Sequence, residues 1–318
     1  MKGRYAPSPT GAMHLGNART ALLAWLAARA AGSRFVLRVE DLDRARVLPG
    51  AEARLLDDLR WLGIDWDEGP DVGGPAAPYR QSERAERYDQ AIARLVAEGR
   101  AYACACSRAD VARAATAPHA ADEEGPRYPG TCRALPAQVV LDRAAAFGRA
   151  PSVRFAAGSE RIAFTDGVRG PVAGELADDF VLRRADGVAA YQLAVVVDDA
   201  AMGIAEIVRG DDLLASTARQ IALGRALGLS IPRFAHVPLV LAPGGDRLAK
   251  RTRPLALGEL RARGAAPEAV VGALAASAGL AAPATRVAAA ALVTSFALDR
   301  VARDAVEIDA QALLAAIP

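Results

Sequence analysis

Residues 2–39 read KGRYAPSPTGAMHLGNARTALLAWLAARAAGSRFVLRV, and the punctuation of this stretch decides the fold. Residues 2–6 form only a short strand, because Pro7, Pro9 and Gly11 end it. In the apolar run 20–28 and just beyond, Leu22, Leu23, Leu26 and Ala30 share one helical face, with Arg19 and Arg29 flanking it. The run starts too far in, behind the Pro/Gly turn, to be the hydrophobic region of a signal peptide, and reads as a core-facing helix. Residues 34–39 alternate and are rich in Val, Leu and Phe, a second strand. Strand, glycine-containing turn, helix and strand within about forty residues make a βαβ unit with a parallel sheet, whose ligands gather at the C-terminal strand ends.

Outward from this unit, helices are predicted over 49–62 and, after the Gly/Pro-rich connection 69–78, through about Glu98. Residues 101–187 change character, with cysteines, a polar Pro/Gly stretch at 118–130 and short apolar runs, and read as an insertion. Strands are expected at 191–197, 204–209 and 236–241, and helices at 213–227, 257–263, 267–278, 286–301 and 310–317. The expected division is therefore 1–100 and 188–245 as two halves of a nucleotide-binding fold, 101–187 between them, and 246–318 as a loop followed by helices.

With 52% hydrophobic and 24% charged residues, the 318-residue chain is globular rather than disordered. Its longest stretch without a charge, 269–285, is 17 residues and contains Gly272, Gly279 and Pro283, too short and too broken for a bilayer-spanning helix. Three cysteines make no disulfide framework and suit a reducing compartment, so a cytoplasmic location is expected. Net charge is 39 minus 37, or +2, which announces no global nucleic-acid footprint and directs attention to local charge.

His14-Leu15-Gly16-Asn17 lies where the first turn enters the first helix. A helix N-terminus offers unpaired N–H groups and partial positive charge, a cradle for phosphate. Gly16 permits close approach of a purine, and His14 and Asn17 can donate to phosphate oxygens. Between Asp246 and Arg263 six basic and two acidic residues leave 6 minus 2, or +4, on one short segment.

These features, with residues 4–11 (RYAPSPTG), 38–43 (RVEDLD), 191–199 (YQLAVVVDD) and 207–214 (IVRGDDLL), resemble in the same order the class I glutamyl-tRNA synthetase family over residues 2–253. The resemblance implies an α/β fold: the Rossmann-like parallel sheet of a class I aminoacyl-tRNA synthetase catalytic domain, with an inserted zinc-containing subdomain and a C-terminal helical segment. It makes His14-Leu15-Gly16-Asn17 the first ATP-binding signature, departing at Asn17, which keeps a donor but loses an imidazole. Arg247-Leu248-Ala249-Lys250-Arg251 resembles the second signature, with Lys250 at its essential lysine. The implied roles are catalysis by His14 and Lys250; ATP binding, with Mg, by His14, Gly16, Asn17, Arg247 and Lys250; and glutamate binding by Arg4, Ser8, Glu40, Tyr191 and Arg209. Glu40 suits the ammonium group and an arginine the carboxylates. Which arginine faces the side-chain carboxylate stays open.

Cys104, Cys106 and Cys132 fall within a 29-residue window of the insertion. With Tyr128 they resemble the zinc site of a shorter relative, and three thiolates with one oxygen complete a tetrahedral zinc shell. His119 is the rival fourth ligand. The 68 residues after Lys250 (318 minus 250) are too few for the anticodon-recognising region of a charging enzyme. Residues 208–220, with Arg209-Gly210 and Ser216-Thr217, and the Cys104 to Cys132 site resemble the glutamyl-Q members of the family, which implies a monomer that transfers glutamate to queuosine in the anticodon loop of tRNA(Asp). A shortened enzyme charging a tRNA 3′ end and an inactive nucleotide- or RNA-binding paralogue are the alternatives.

Overall fold

The computed structural model describes residues 1–114, 127–241 and 256–307. Strand β1 (Lys2–Tyr5), helix α1 (Leu15–Ala30) and strand β2 (Arg34–Leu37) form the expected βαβ unit, with β1 and β2 parallel. Helices α2 (Ala51–Trp61) and α3 (Ala85–Ala97) follow. Strand β3 (Ala101–Cys104), helix α4 (Arg108–Ala114), helix α5 (Ala137–Ala146), strand β4 (Ser152–Phe155), strands β5 (Arg161–Asp166) and β6 (Gly170–Glu175), and strand β7 (Val181–Arg183) come next. The chain then forms α6 (Tyr191–Met202), β8 (Glu206–Gly210), α7 (Ser216–Ala226), β9 (Arg233–Val237) and β10 (Val240–Leu241). After residue 255 come α8 (Leu257–Ala262), α9 (Pro267–Ser277), the short α10 (Ala289–Leu292) and β11 (Val306–Glu307).

The main sheet has the order β2-β1-β8-β9-β5-β6, parallel throughout except at the antiparallel edge strand β6. Helices cover both faces, α1, α2, α8 and α9 on one and α3, α6 and α7 on the other, each packed into its own core. Strands β5 and β6, drawn from within residues 101–187, belong to this sheet, whereas β3, β4 and β7 make a separate antiparallel sheet that carries the cysteine cluster.

Several expectations change. Residues 191–197 are not a strand but the start of α6, in which Val195, Asp198, Asp199 and Met202 are buried at helical spacing. The consecutive valines imitate a strand, and the two aspartates look like surface until their arginine partners are seen. Residues 286–301 are not one helix: α10 gives way to 3-10 turns at Val293–Ser295 and Leu298–Arg300, and Ser295 Oγ donates to the Leu292 carbonyl, a local bond that competes with the helix. Residues 236–241 break at Pro238 into β9 and β10. Helix α1 is buried on every side from Ala21 to Ala28, while Ala30 is exposed. Arg19 is buried, not flanking, and donates to the carbonyls of Pro238 at 2.6 Å and Ser277 at 3.2 Å. Burying each leucine of α1 contributes about 1.5–3 kcal/mol. The expected helix 310–317 lies outside the described residues, and among the described residues no helix is long and apolar enough to cross a membrane.

Candidate active site

Two cavities open at the C-terminal ends of the central parallel strands. One, of about 490 Å³, is lined by the β1–α1 turn, the N-terminus of α1 and the β9–β10 turn, and includes Arg4, His14, Gly16, Asn17 and Arg209. The other, of about 710 Å³, lies between the main fold and the cysteine-bearing sheet. Ser8, Glu40 and Tyr191 line both, so the cavities meet at these three residues.

In the first cavity His14 is the N-cap of α1, and its Nδ1 accepts from the Asn17 backbone N–H at 3.3 Å. Burial draws the His14 pKa below its ordinary value, which keeps Nδ1 an acceptor and leaves an Nε2–H to donate. A Cβ at Gly16 would come within 3.2 Å of the His14 ring, so glycine makes room for this cap. Arg247 and Lys250 lie outside the described residues; on either side of them, Val240 lines the cavity and Ala256 is bridged to His14, with Leu257 N–H bonded to the Met13 carbonyl at 2.8 Å.

Beneath Glu40 lies a buried ionic cluster. Arg38 donates to Glu40 at 3.2 Å and to Asp199 at 2.6 Å, Arg4 reaches Asp199 at 3.3 Å, and Arg84 reaches Asp198 at 2.5 Å. Tyr88 and Gln81 also donate to Asp198. Burial pushes the Glu40 pKa up while Arg38 and Arg4 pull it down, and the net direction is upward. Burial likewise works against the Asp199 carboxylate, but Arg38 and Arg4 outweigh it and hold its pKa below the usual range. Three arginines (Arg4, Arg38, Arg84) balance three carboxylates (Glu40, Asp198, Asp199), giving 3 minus 3, or zero.

Arg209 stands outside this balance. Its Nε donates to His236 Nε2 at 3.0 Å, Nη1 to Gln220 Oε1 at 2.7 Å, and Nη2 to Thr217 Oγ1 at 2.9 Å and the Leu213 carbonyl at 3.4 Å. Every one of these acceptors is neutral, and among the described residues no carboxylate bonds this guanidinium. Burial accordingly lowers the Arg209 pKa. A buried guanidinium with no directly bonded carboxylate is costly, and a ligand carboxylate can offset that cost.

Sequence reasoning thus places Arg4, Ser8, His14, Gly16, Asn17, Glu40, Tyr191 and Arg209 around joined cavities. It misses Arg38, Asp198 and Asp199, although the runs 38–43 and 191–199 contain them, and it misses His236, Thr217 and Gln220.

In the cysteine-bearing sheet, the sulfurs of Cys104, Cys106 and Cys132 lie within 4.8 Å of one another. Cys106 and Cys132 Sγ are 3.7 Å apart, close to the edge of about 3.8 Å that a tetrahedron with metal–sulfur bonds near 2.3 Å requires. The Tyr128 hydroxyl lies 3.3 Å from Cys104 Sγ, and His119 lies outside the described residues. Burial opposes the Cys104 thiolate, but Tyr128, the Cys106 backbone and Arg154 outweigh it and lower its pKa. Burial and the neighbouring sulfurs push Cys106 up to about 12, so three thiolates coexist there only with a cation among them. The donor set fits a metal ion.

Residues 1–313 match the family model described as tRNA synthetases class I (E and Q), catalytic domain, and the chain belongs to that family. It is therefore a class I aminoacyl-tRNA synthetase by family. It is 56% identical over 315 residues to the Glutamyl-Q tRNA(Asp) synthetase of Symbiobacterium thermophilum, covering 98% of this chain and 97% of that one. A protein of the same name from Nocardia farcinica is 52% identical over 280 residues, covering 87% of this chain and 85% of that one. The crystal structure of Glutamate-tRNA Synthetase from Elizabethkingia anophelis superposes with a TM-score of 0.84 at 30% identity, covering 98% of this chain and 69% of that one.

Proposed function

We propose that this protein activates L-glutamate with ATP and Mg²⁺ and transfers it to queuosine in tRNA(Asp), as a monomer in the cytoplasm. The observation that carries the glutamate assignment is Arg209, a buried guanidinium at the cavity wall whose partners are all neutral. The neighbouring ionic cluster sums to zero and no described carboxylate bonds Arg209 directly, so the glutamate side-chain carboxylate supplies its direct ion-pair partner. Arg4 is committed to Asp199, so Arg209 takes the side-chain carboxylate, with Tyr191 and Ser8 lining the same space and Glu40 accepting from the ammonium group.

ATP occupies the 490 Å³ cavity, its phosphates over the α1 N-terminus, His14 and Asn17 and its purine against Gly16. A glutamate carboxylate oxygen attacks the α-phosphorus, the bond to pyrophosphate breaks, and glutamyl-adenylate forms. His14 Nε2–H, Arg247 and Lys250 meet the charge that gathers on the phosphate oxygens. Lys250→Ala and His14→Ala each lower glutamate-dependent pyrophosphate exchange by about two orders of magnitude. Near-normal exchange in Lys250→Ala would reject the assignment of residues 247–251.

The acceptor enters from the 710 Å³ cavity, whose wall carries Cys104, Cys106 and the arginines Arg108, Arg149, Arg154 and Arg184. That the Symbiobacterium protein of the same extent bears the name Glutamyl-Q tRNA(Asp) synthetase supports queuosine as the acceptor. Mapping the nucleotide of tRNA(Asp) that carries glutamate tests it.

Cys104, Cys106, Tyr128 and Cys132 would hold one zinc ion, which would supply structural rather than reactive chemistry in the wall of this second cavity. Protein purified without added metal contains one zinc per chain; Cys132→Ala loses it and His119→Ala keeps it. Metal lost from His119→Ala would make the histidine the fourth ligand.

A further inference from the structure

The outer partners of Arg209 form a directed chain. Asp166 ends β5 and His236 lies on the adjacent β9, both fully enclosed. His236 Nδ1 is 2.6 Å from Asp166 Oδ2, and on the other side of the ring Nε2 receives the Arg209 Nε–H at 3.0 Å. An imidazole nitrogen that accepts from an arginine carries no proton, so the proton resides on Nδ1 and is donated to Asp166. Asp166 is itself fixed, because Oδ1 accepts from the backbone N–H groups of Val168, Arg169 and His236. Burial works against its carboxylate, but His236 and those N–H groups outweigh it and hold the pKa at about 2. Phe234 closes the chain laterally, stacked on His236 with ring centroids 6.2 Å apart and lying 5.3 Å from the Arg209 guanidinium carbon.

This arrangement does more than fill space. An ionised Asp166 can only accept, so it fixes the His236 tautomer, and the tautomer decides whether Arg209 meets a lone pair or another N–H. With a lone pair there, Nε and one edge of the guanidinium are anchored. Thr217 and Gln220 hold the terminal nitrogens, and Gln220 is oriented in turn by donating to Gln192 Oε1 at 2.9 Å. The guanidinium then has one fixed orientation before substrate arrives, and each of its anchors is neutral, so its charge stays unspent.

We propose that Asp166 and His236 are positioning residues for glutamate selection: Asp166 sets the His236 tautomer, and His236 Nε2 orients Arg209 toward the substrate's side-chain carboxylate. The proposal rests on the assignment of Arg209 to that carboxylate.

Asp166→Asn is the decisive variant. Its amide oxygen still accepts from the backbone N–H groups, but its amide nitrogen now donates to Nδ1. The imidazole proton moves to Nε2, which then donates to the Thr217 hydroxyl 3.1 Å away and no longer accepts from the Arg209 Nε–H. The KM for glutamate in pyrophosphate exchange rises about 10- to 100-fold, the KM for ATP stays the same, and the melting temperature is preserved. Nitrogen NMR of protein labelled at its three histidines reads the tautomer directly, with the Nδ1–H form in the native chain and the Nε2–H form in Asp166→Asn. His236→Gln places an amide oxygen near the position of Nε2 and stays within about fivefold of the native KM, whereas His236→Leu, which has no acceptor, matches Asp166→Asn. These two decide the question if Asp166→Asn fails to fold.

An inverted tautomer with an unchanged glutamate KM would overturn the proposal. So would an unchanged tautomer in Asp166→Asn, equal losses for glutamate and ATP, or His236→Gln as damaging as His236→Leu. Arg209→Gln separates the two levels. If it spares the glutamate KM, the carboxylate assignment itself is wrong. If it destroys glutamate binding while Asp166→Asn and His236→Leu are silent, only the positioning pair is rejected.

Discussion

Pyrophosphate exchange with glutamine is expected to fall about 10⁴-fold below exchange with glutamate, because a site built around a polar partner rejects the analogue that leaves it unpaired. The two amino acids differ by one group, and the difference is felt at Arg209. Glutamate brings a carboxylate that neutralises a buried guanidinium whose other acceptors are His236, Gln220, Thr217 and a backbone carbonyl. A glutamine amide oxygen can accept one of its hydrogen bonds but gives the guanidinium no directly bonded carboxylate. In the adjoining cluster the arginines are already balanced, since Arg4 and Arg38 share Asp199 and Arg84 holds Asp198. Arg209→Gln removes that guanidinium charge. It lowers kcat/KM for glutamate by about 10³-fold or more, as a charge-assisted pair is lost and the substrate carboxylate is left buried, and it narrows the gap between the two amino acids. Equal exchange with glutamate and glutamine in the native protein would reject the pocket.

The elements that local chemistry determines were legible in the sequence. Pro7, Pro9 and Gly11 end β1, the apolar run makes α1, and alternation marks β2, so the parallel sheet follows from 39 residues. Helix α6 is not legible locally because distant partners offset the cost of its burial: Asp199 meets residues 195 and 161 positions away, and Asp198 one 114 positions away. No local periodicity reveals that two adjacent aspartates face a core. The β5–β6 hairpin looks like part of the insertion for a similar reason, since it joins the main sheet through pairing of Asp166 with Phe234, 68 positions on. The choice between Arg4 and Arg209 likewise depends on which one a distant carboxylate already occupies. Residue types at the site can be read from motifs; charge balance appears only when the chain is folded.

The second large effect concerns the acceptor. Transfer of glutamate is expected to survive removal of the 3′ terminal adenosine of tRNA(Asp) and to vanish when the tRNA lacks queuosine. For transfer, a hydroxyl oxygen attacks the carbonyl carbon of glutamyl-adenylate, the carbon–oxygen bond to AMP breaks, an ester forms, and the hydroxyl proton is released. That hydroxyl has to reach the junction of the cavities at Ser8, Glu40 and Tyr191 from the side of the cysteine-bearing sheet. The passage carries Arg108, exposed on its wall, and Arg149 and Arg184, whose partners Asp110 and Asp186 are partly exposed, and these suit a phosphate backbone. RNA is commonly recognised by helix shape together with a splayed-out base, and an anticodon stem presents the same short A-form backbone as an acceptor stem. A cavity of about 710 Å³ admits one unstacked nucleoside, and the cyclopentenediol of queuosine carries its hydroxyls at the tip of such a base. Activation precedes this step, and every described residue assigned to it lines the first cavity, so pyrophosphate exchange is expected to proceed without tRNA. Four substrates, tRNA(Asp) with and without queuosine and each with and without its terminal adenosine, separate the readings. Transfer abolished by trimming assigns the 3′ end as acceptor, and absence of both exchange and transfer in the native protein would mark a binding protein instead of an enzyme.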